Sequence, residues 1–242
     1  MPFFSSRSRS NNNTNTPITS DKAHAPRSKT KAMAAPEDKT LANLSGKWIQ
    51  NKNLSDPAEP VLVIQGFSWA TRTVVAVATV SIEVEQFTGP PDQQSYADPD
   101  SPKVEGPDCV HINLVQALTG GLGAQPENRC LDGVTRSHDH PMFGVGENTA
   151  KWATREELEK LDVDEYLLED WEEGDEEQVG PNKEPLIYNT SSSTNNGWVA
   201  TQVWGFAYVE GERHYVRRVV VTKGDERAAI TQVWDWAGEI KK

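Results

Sequence analysis

The feature that most constrains the fold is a series of strand-like segments in the last third of the chain, at residues 197–209, 213–222 and 227–236. In the first of them alternation places Trp198, Gln202, Trp204, Phe206 and Tyr208 on one face. Only tight turns separate them, at Glu210-Gly211-Glu212 and at Lys223-Gly224-Asp225. Strands joined by such short turns pair antiparallel with their neighbours. The series therefore predicts an antiparallel meander.

Further strands are predicted upstream by the same alternation. Val80, Ile82 and Val84 alternate within 79–87, and residues 109–118 form another strand. The other candidates are 46–52, 129–137, 142–153 and 185–191. A sheet of about ten strands loses its exposed edges when it closes. We therefore predict a mainly β protein, a closed antiparallel meander β-barrel.

A helix-turn-helix is predicted between the first two strands. Asp56 and Pro57 are helix-start signals, although Pro60 is an alternative first residue. Gly66 marks the break between two short helices. Such a pair would cover one end of the barrel as a lid. Its expected apolar stripe consists of Val63, Phe67, Ala70, Val74 and Val77.

An acidic insertion is predicted at 154–184. It begins with a capping box from Thr154 to Glu157, which predicts a helix over the exterior or mouth of the barrel. The acids favour either a solvated insertion or a docking surface for a basic partner. A second insertion, 89–108, is a loop rich in Pro, Gly and Asp.

Charge divides the chain into two regions. Residues 1–36 carry six Lys or Arg and one acid, a net charge of +5. Because the whole chain carries −12, the rest of the chain carries −17. This Ser/Asn-rich tail has too few apolar residues to pack, so we predict disorder there and a single barrel domain over 40–240. The acidic domain repels phosphate, which argues against nucleic-acid binding.

Cysteine usage and hydropathy bear on the compartment. No apolar run is long enough to span a membrane, and nothing resembles a signal peptide. We therefore expect a cytoplasmic protein in which Cys109 and Cys130 are free thiols, with pairing across neighbouring strands as the alternative. The two lack metal-ligand spacing, so no metal is expected.

The N-terminal segments carry a resemblance to a known family. Gly46-Lys47-Trp48, the run QGFSWATR at 65–72 and the strand VATVSIEV resemble the intracellular fatty-acid-binding proteins of the calycin (lipocalin-like) superfamily. The whole chain is also similar to a group of fungal lipocalin-like proteins. The resemblance implies a barrel whose interior binds a small hydrophobic molecule.

The last strand departs from that family. Fatty-acid-binding proteins hold a carboxylate with an Arg-x-Tyr there, whereas Gln232 and Trp234 stand at those positions. Arg217 or Arg218 on the preceding strand could replace the lost contact, because alternation sends one of them inward; a surface arginine pair is the alternative. The candidate ligand-binding residues are Arg217, Tyr215, Gln202, Trp204, Gln232, Trp234, Trp69 and Arg72.

Catalytic candidates are few. The chain has no nucleophile elbow, zinc-protease, phosphate-loop or dinucleotide motif, so no cofactor is expected. His138 and His140 share a face if their segment is extended, which would suit acid–base work, but a polar turn before Pro141 is the plainer interpretation. His111 is a weaker candidate. The tryptophans, Trp69 included, are expected to fill the core or line a cavity.

Three functions fit these observations. The first is binding of a small hydrophobic molecule, lipid-, polyketide- or terpenoid-like, under the helical lid. The second is a cofactor-independent cyclase or isomerase of fungal secondary metabolism, because a barrel can fold a substrate by shape with one or two polar groups. The third is a protein-interaction module that uses the acidic insertion.

Overall fold

The structure is a computed structural model that describes residues 33–91, 104–119, 125–141, 143–172 and 180–240. Ten strands form one antiparallel sheet: β1 Gly46–Gln50, β2 Val80–Gly89, β3 Cys109–Leu118, β4 Gln125–Cys130, β5 Arg136–His140, β6 Gly144–Ala153, β7 Leu186–Ser192, β8 Val199–Val209, β9 Glu212–Lys223 and β10 Glu226–Gly238. The helices are α1 Glu59–Ile64, α2 Trp69–Val77, α3 Arg155–Lys160 and the 3₁₀ turn Glu165–Leu168. The predicted mainly β, ten-stranded meander is confirmed. Among the described helices, none is long and apolar enough to cross a membrane.

The sheet is a meander with two end strands. Its order is β4-β3-β2-β1-β10-β9-β8-β7-β6-β5, so the first strand pairs with both β2 and the last strand. The tight turn at Glu210 and Gly211 puts both residues at positive φ, as a two-residue hairpin with right-handed twist requires.

The sheet curls so that the end strands β4 and β5 approach each other through side chains, with Glu127 Oε1 of β4 3.6 Å from His140 Nε2 of β5. Within the described residues they share no ladder, so strict closure by backbone pairing is absent. Two other connections join them. Leu131 N–H donates to Val110 and Gly133 N–H donates to Ala150, so the chain after β4 bridges β3 to β6.

The barrel interior has two regions. At one end, aromatic side chains pack around Trp48, which is fully buried and donates from Nε1 to the carbonyl of Leu44 at 3.0 Å. At the other end, α1 turns Val61 and Ile64 onto Trp198 and the inner faces of β8–β10. The space between the two regions is the cavity described below.

The helical pair forms, but its predicted apolar face is wrong. Gly66 at φ +82° and the extended Ser68 separate α1 from α2, so one stripe cannot continue across both. Val63, Val74 and Val77 are therefore exposed, while Val61 and Ile64 face inward.

Asp56 does not cap α1, which begins at Glu59 with Pro60 in its first turn. The Asp56 carboxylate instead accepts from the Thr231 N–H at 2.7 Å and from the Tyr166 hydroxyl at 3.2 Å. It therefore ties the chain before the lid to β10 and to the 3₁₀ turn.

The acidic insertion packs on the barrel exterior. Its capping box forms, and Leu158 and Leu167 are buried against Val203 and Val220 on the outer face of the sheet. Three of its acids meet arginines of β9 and β10: Asp164 with Arg227, Glu169 with Arg218, and Glu172 with Arg213. Residues 173–179 of the insertion lie outside the described residues.

The predicted tail and the predicted loop insertion are only partly described by the structure. Residues 1–32 of the predicted tail and 92–103 of the loop insertion lie outside the described residues. Met33 to Pro36, by contrast, belong to the fold: Met33 exchanges backbone hydrogen bonds with Trp236, and Ala35 N–H donates to the Arg213 carbonyl at 2.8 Å. Assigning those four residues to the tail was wrong.

The expectation of free thiols is also wrong, because Cys109 and Cys130 form a disulfide. The β3–β4 hairpin brings their Cα atoms to 6.5 Å, within bonding range. His111 lies beside them, and its ligand atom and both sulfurs lie within 4.8 Å of one another. The sulfurs are used in the disulfide.

Gly146 is a position where a side chain cannot fit. A Cβ there would overlap the carbonyl oxygen of Ser192, a backbone atom that cannot rotate away. We expect Gly146→Ala to lower the free energy of unfolding by about 2 kcal/mol, within the range for overpacking, measured by urea unfolding. Gly106→Ala is the control, since its Cβ would meet Pro91 Cγ at 3.4 Å. Equal stabilities of the two variants would contradict the close approach.

Candidate functional site

A cavity of about 270 Å³ lies inside the barrel under the helical lid. Ala58, Val61, Leu62 and Gln65 from α1 and its approach, with Phe67, Thr71 and Val75, cover it. Its walls are largely apolar: Val80, Leu114, Leu118, Phe143, Trp198, Ala200, Trp204, Val219, Val221 and Ile230. This cavity agrees with the prediction that the barrel holds a small hydrophobic molecule under the lid.

Arg217 is the main cation on the wall formed by the C-terminal strands. Its side chain is 5% exposed, and its guanidinium lies 4.1 Å from the ring centre of Trp204. Nε donates to the Tyr215 hydroxyl at 2.8 Å, whereas Nη2 is buried and has no hydrogen-bond partner among the described residues. An unpaired buried donor is costly, so this atom is suited to bind an acceptor oxygen of a ligand.

Two glutamines lie close to this arginine along the strands. Gln232 is directly opposite Arg217 in the β9–β10 ladder, and Trp204 is opposite it in the β8–β9 ladder. Trp204 Nε1 donates to Gln202 Oε1 at 3.0 Å, which turns the amide nitrogen of Gln202 away from the indole. The cavity therefore has one polar wall set in aromatic surroundings.

The predicted choice between the two neighbouring arginines is resolved. Arg217 faces the cavity, whereas Arg218 faces the exterior, where it meets Glu169 and lies over Tyr166 and Trp171. Alternation along β9 produces this division.

Four other predicted ligand residues do not line the cavity. Tyr215 and Trp234 are buried in the aromatic region beneath Arg217, where Trp234 lies 5.4 Å from the guanidinium. Arg72 joins α2 to α1, because it donates to Glu59 and to the Phe67 carbonyl. Trp69 is 73% exposed at the start of α2, so its expected place in the core or cavity is wrong. The break at Gly66 turns α2 so that Trp69, like Val74 and Val77, is exposed.

The three candidate histidines also differ in whether they line the cavity. His138 and His140 lie within β5, so the polar-turn interpretation is wrong; both face the cavity, as alternation predicts for a strand. His111 does not line the cavity. It is buried, stacks on Phe87 and contacts the Pro90 carbonyl through Nε2 at 2.9 Å, which is a structural role.

Glu127 and Arg129 were missed by the sequence analysis. They lie on β4, face the cavity and form an ion pair with each other, and Glu127 Oε1 is 3.6 Å from His140 Nε2. Their alternation at i and i+2 was a usable signal, but the strand was predicted to begin at Arg129 and to run on to Ser137. The remaining polar lining residues are Gln50, Gln116, Asn148 and Ser191.

Burial lowers the pKa of His138, and the charges of Arg129 and His140 lower it further against the opposing effects of Glu127 and Asp139. Burial also lowers the pKa of His140, with Glu127 opposing and Arg129 reinforcing that change. Both imidazoles are therefore neutral at pH 7. Tyr215 has a raised pKa because it is fully buried, so it stays a neutral hydroxyl beside Arg217.

The fold and the cavity define a ten-stranded β-barrel protein with an interior site for a small, largely apolar molecule. The chain is 31% identical over 205 residues to the probable pericyclase scpY of Mollisia scopiformis, across 85% of this chain and 95% of that protein. It is 27% identical over 206 residues to the pericyclase pydY of an Acremonium species, across 85% and 98%. The chain belongs to the family of these fungal proteins.

The chain is also similar in fold to solved structures. Fatty-acid-binding protein 1 of Echinococcus granulosus has a TM-score of 0.44 and 11% identity, across 81% of this chain and 98% of that one. No family model matches the chain.

Proposed function

We propose that this protein is a pericyclase. Its substrate is a flexible, mostly apolar polyene that carries a carbonyl group, and the reaction is an intramolecular cycloaddition inside the barrel without a cofactor. The observation that carries the proposal is Arg217, a buried guanidinium on the wall of a largely apolar cavity whose Nη2 has no hydrogen-bond partner among the described residues. Membership of a family with two named pericyclases supports the reaction class.

The cavity supplies the first requirement of a pericyclic reaction, which is a folded substrate. A linear polyene must give up its rotational freedom before its reacting carbons meet, and a preformed site supplies that ordering. Trp198, Trp204 and Phe143 give rigid aromatic walls. At about 270 Å³ the cavity is close to the lower end of the usual range for small-molecule sites, so it favours a compact conformer.

Arg217 supplies the second requirement, which is polarisation. A carbonyl conjugated to the alkene becomes more negative at oxygen as the new carbon–carbon bonds form. A cation that donates a hydrogen bond to that oxygen stabilises the transition state, and the surrounding rings keep water from weakening the interaction.

The test uses a linear trienone, in which a conjugated diene is tethered to an α,β-unsaturated ketone. We expect the protein to accelerate its cyclisation and to give mainly one diastereomer, because the walls admit one folded conformer. The measurement is product ratio and rate by chromatography against the reaction in buffer and with a denatured sample. A rate and a product ratio equal to those in buffer would contradict the proposal.

Binding without turnover is the second candidate. The helical lid favours it, because the ion pair between Arg72 of α2 and Glu59 of α1 holds together the two helices that contribute residues to the cover of the cavity. The trienone experiment separates the two: a pure binder would quench tryptophan fluorescence with the trienone without changing its rate of cyclisation. The interaction-module alternative gains no support, since Asp164, Glu169 and Glu172 meet arginines of their own chain.

A cytoplasmic location stays a prediction. The disulfide between Cys109 and Cys130 is uncommon for that compartment.

A further inference from the structure

The cavity has a second polar wall, which the proposed cyclisation does not use. Glu127 and Arg129 on β4 face the cavity together with His138 and His140 on β5. These strands are the two ends of the sheet, and the Glu127 and His140 side chains approach each other between them at 3.6 Å. The four side chains form an acid–base cluster on the cavity lining.

The geometry gives the two histidines different roles. The Phe143 N–H donates to His140 Nδ1 at 3.3 Å, which occupies the lone pair of that nitrogen. In the neutral ring the proton is then on Nε2, 3.6 Å from Glu127 Oε1. That separation is longer than a hydrogen bond, so His140 lies beside the Glu127–Arg129 ion pair as a neutral neighbour whose Nε2 proton faces it.

We propose that His138 is a general base that removes a proton from the carbon beside a carbonyl of a cavity-bound molecule, with Arg129 holding the resulting enolate oxygen. The C–H electron pair becomes the enolate double bond, the carbonyl π electrons move to oxygen, and the proton goes to the imidazole. Its return to a different carbon shifts the double bond, and no oxidant or reductant is needed. This proposal takes only the substrate class, a molecule that bears a carbonyl group, from the proposed function. The probe that tests it cannot cyclise.

Two observations support the assignment beyond the placement of these side chains. His138 is buried and its lowered pKa leaves the imidazole neutral, as a base at pH 7 must be. Arg129 Nε is buried and has no hydrogen-bond partner in the described part of the chain, which leaves a donor for a developing oxyanion. The charged groups that act on His138 are Glu127 and Arg129 across the gap, and Asp139 and His140 on its own strand.

The probe is 5-nitrobenzisoxazole, a small apolar molecule whose ring opens when a base removes its C–H proton. The C–H electrons form the nitrile, the N–O bond breaks, and a coloured nitrophenolate is released. We expect the protein to accelerate this opening, and His138→Gln to lower the rate about 100-fold, the lower end of the range for a general base. His111→Gln is the matched control, because His111 is buried outside the cavity and should leave the rate unchanged.

The pH profile distinguishes a base from a structural residue. The rate should rise as the His138 imidazole loses its proton, through an apparent pKa below 6.5, and then level off. Arg129→Gln removes a positive charge that lowers this pKa, so the inflection should move to higher pH, and this second variant does not depend on the folding of His138→Gln. Unchanged rates in His138→Gln, or an inflection that does not move in Arg129→Gln, would overturn the assignment.

The outcome is independent of the cyclisation test. Ring opening that depends on His138, together with failure of the trienone experiment, would establish the base without the pericyclase. Cyclisation together with no ring opening above that of the denatured protein would refute the base and leave the pericyclase intact.

Discussion

Arg217→Met is expected to slow cyclisation of the trienone about 100- to 1000-fold, the range for loss of one preorganised donor to a developing oxyanion. The effect should appear mainly in kcat, because the carbonyl oxygen gains charge only as the transition state is approached. Methionine retains most of the side-chain volume against Trp204. The free energy of unfolding should fall by no more than about 1–3 kcal/mol, the cost of leaving the Tyr215 hydroxyl without its partner. Steady-state kinetics and urea unfolding measure both quantities.

Arg218→Met is the matched control for that substitution. The two arginines are adjacent in sequence, but Arg218 faces the acidic insertion, where it meets Glu169 at 3.3 Å. The control variant should cyclise the trienone at the wild-type rate. Equal losses in both variants would show that the strand, rather than a donor in the cavity, determines the rate. An Arg217→Met protein with the wild-type kcat would remove Arg217 from the mechanism.

Trp48→Ala is expected to have the largest effect on stability, a loss of about 3–5 kcal/mol in the free energy of unfolding. Trp48 is fully buried at the centre of the aromatic region, with ring centres of Trp236 and Tyr215 at 5.0 Å and 5.4 Å. Its removal leaves a cavity and deprives the Leu44 carbonyl of its donor. Because domains of this kind are stable by only about 5–15 kcal/mol, this loss is a large share of the total free energy of unfolding.

Trp69→Ala is the control for the tryptophan substitution. It removes the same side chain from a position that is 73% exposed, so the free energy of unfolding should change by less than about 0.5 kcal/mol. Urea unfolding followed by circular dichroism measures both variants. A loss of more than 2 kcal/mol at Trp69, or less than 1 kcal/mol at Trp48, would contradict the burial that the structure assigns to them.

The strands were predicted better than the helices because side chains that alternate with a period of two leave little freedom in which face of the sheet each residue occupies. Residues 109–118 form β3 as predicted, and the hairpins of the last third have their predicted turns. The prediction of which face of the helical lid is buried was wrong, because Gly66, at positive φ, changes the direction of the chain between α1 and α2. The prediction of one strand over 129–137 was wrong, because β4 ends at Cys130 and the strand and the connection that follows it both contain polar residues.

The candidate site was predictable only where strand phase determines it. Phase puts Arg217 and Arg218 on opposite faces of β9, and the structure shows that Arg217 is on the inner face together with Gln202 and Trp204. Phase does not say how deep a side chain lies, so Tyr215 and Trp234 were assigned to the cavity although they pack beneath it. The second polar wall needs β4 and β5 to be neighbours, a contact that follows from the curl of the whole sheet.

The central claim is that a ligand carbonyl binds to Arg217 inside the barrel, and a crystal structure with the trienone or its cyclised product tests it most directly. We expect density in the cavity beneath α1, with the ketone oxygen about 2.7–3.2 Å from Arg217 Nη2 and the hydrocarbon against Trp204 and Trp198. A molecule bound on the exterior, or one inside the cavity with its ketone turned away from Arg217, would contradict the account.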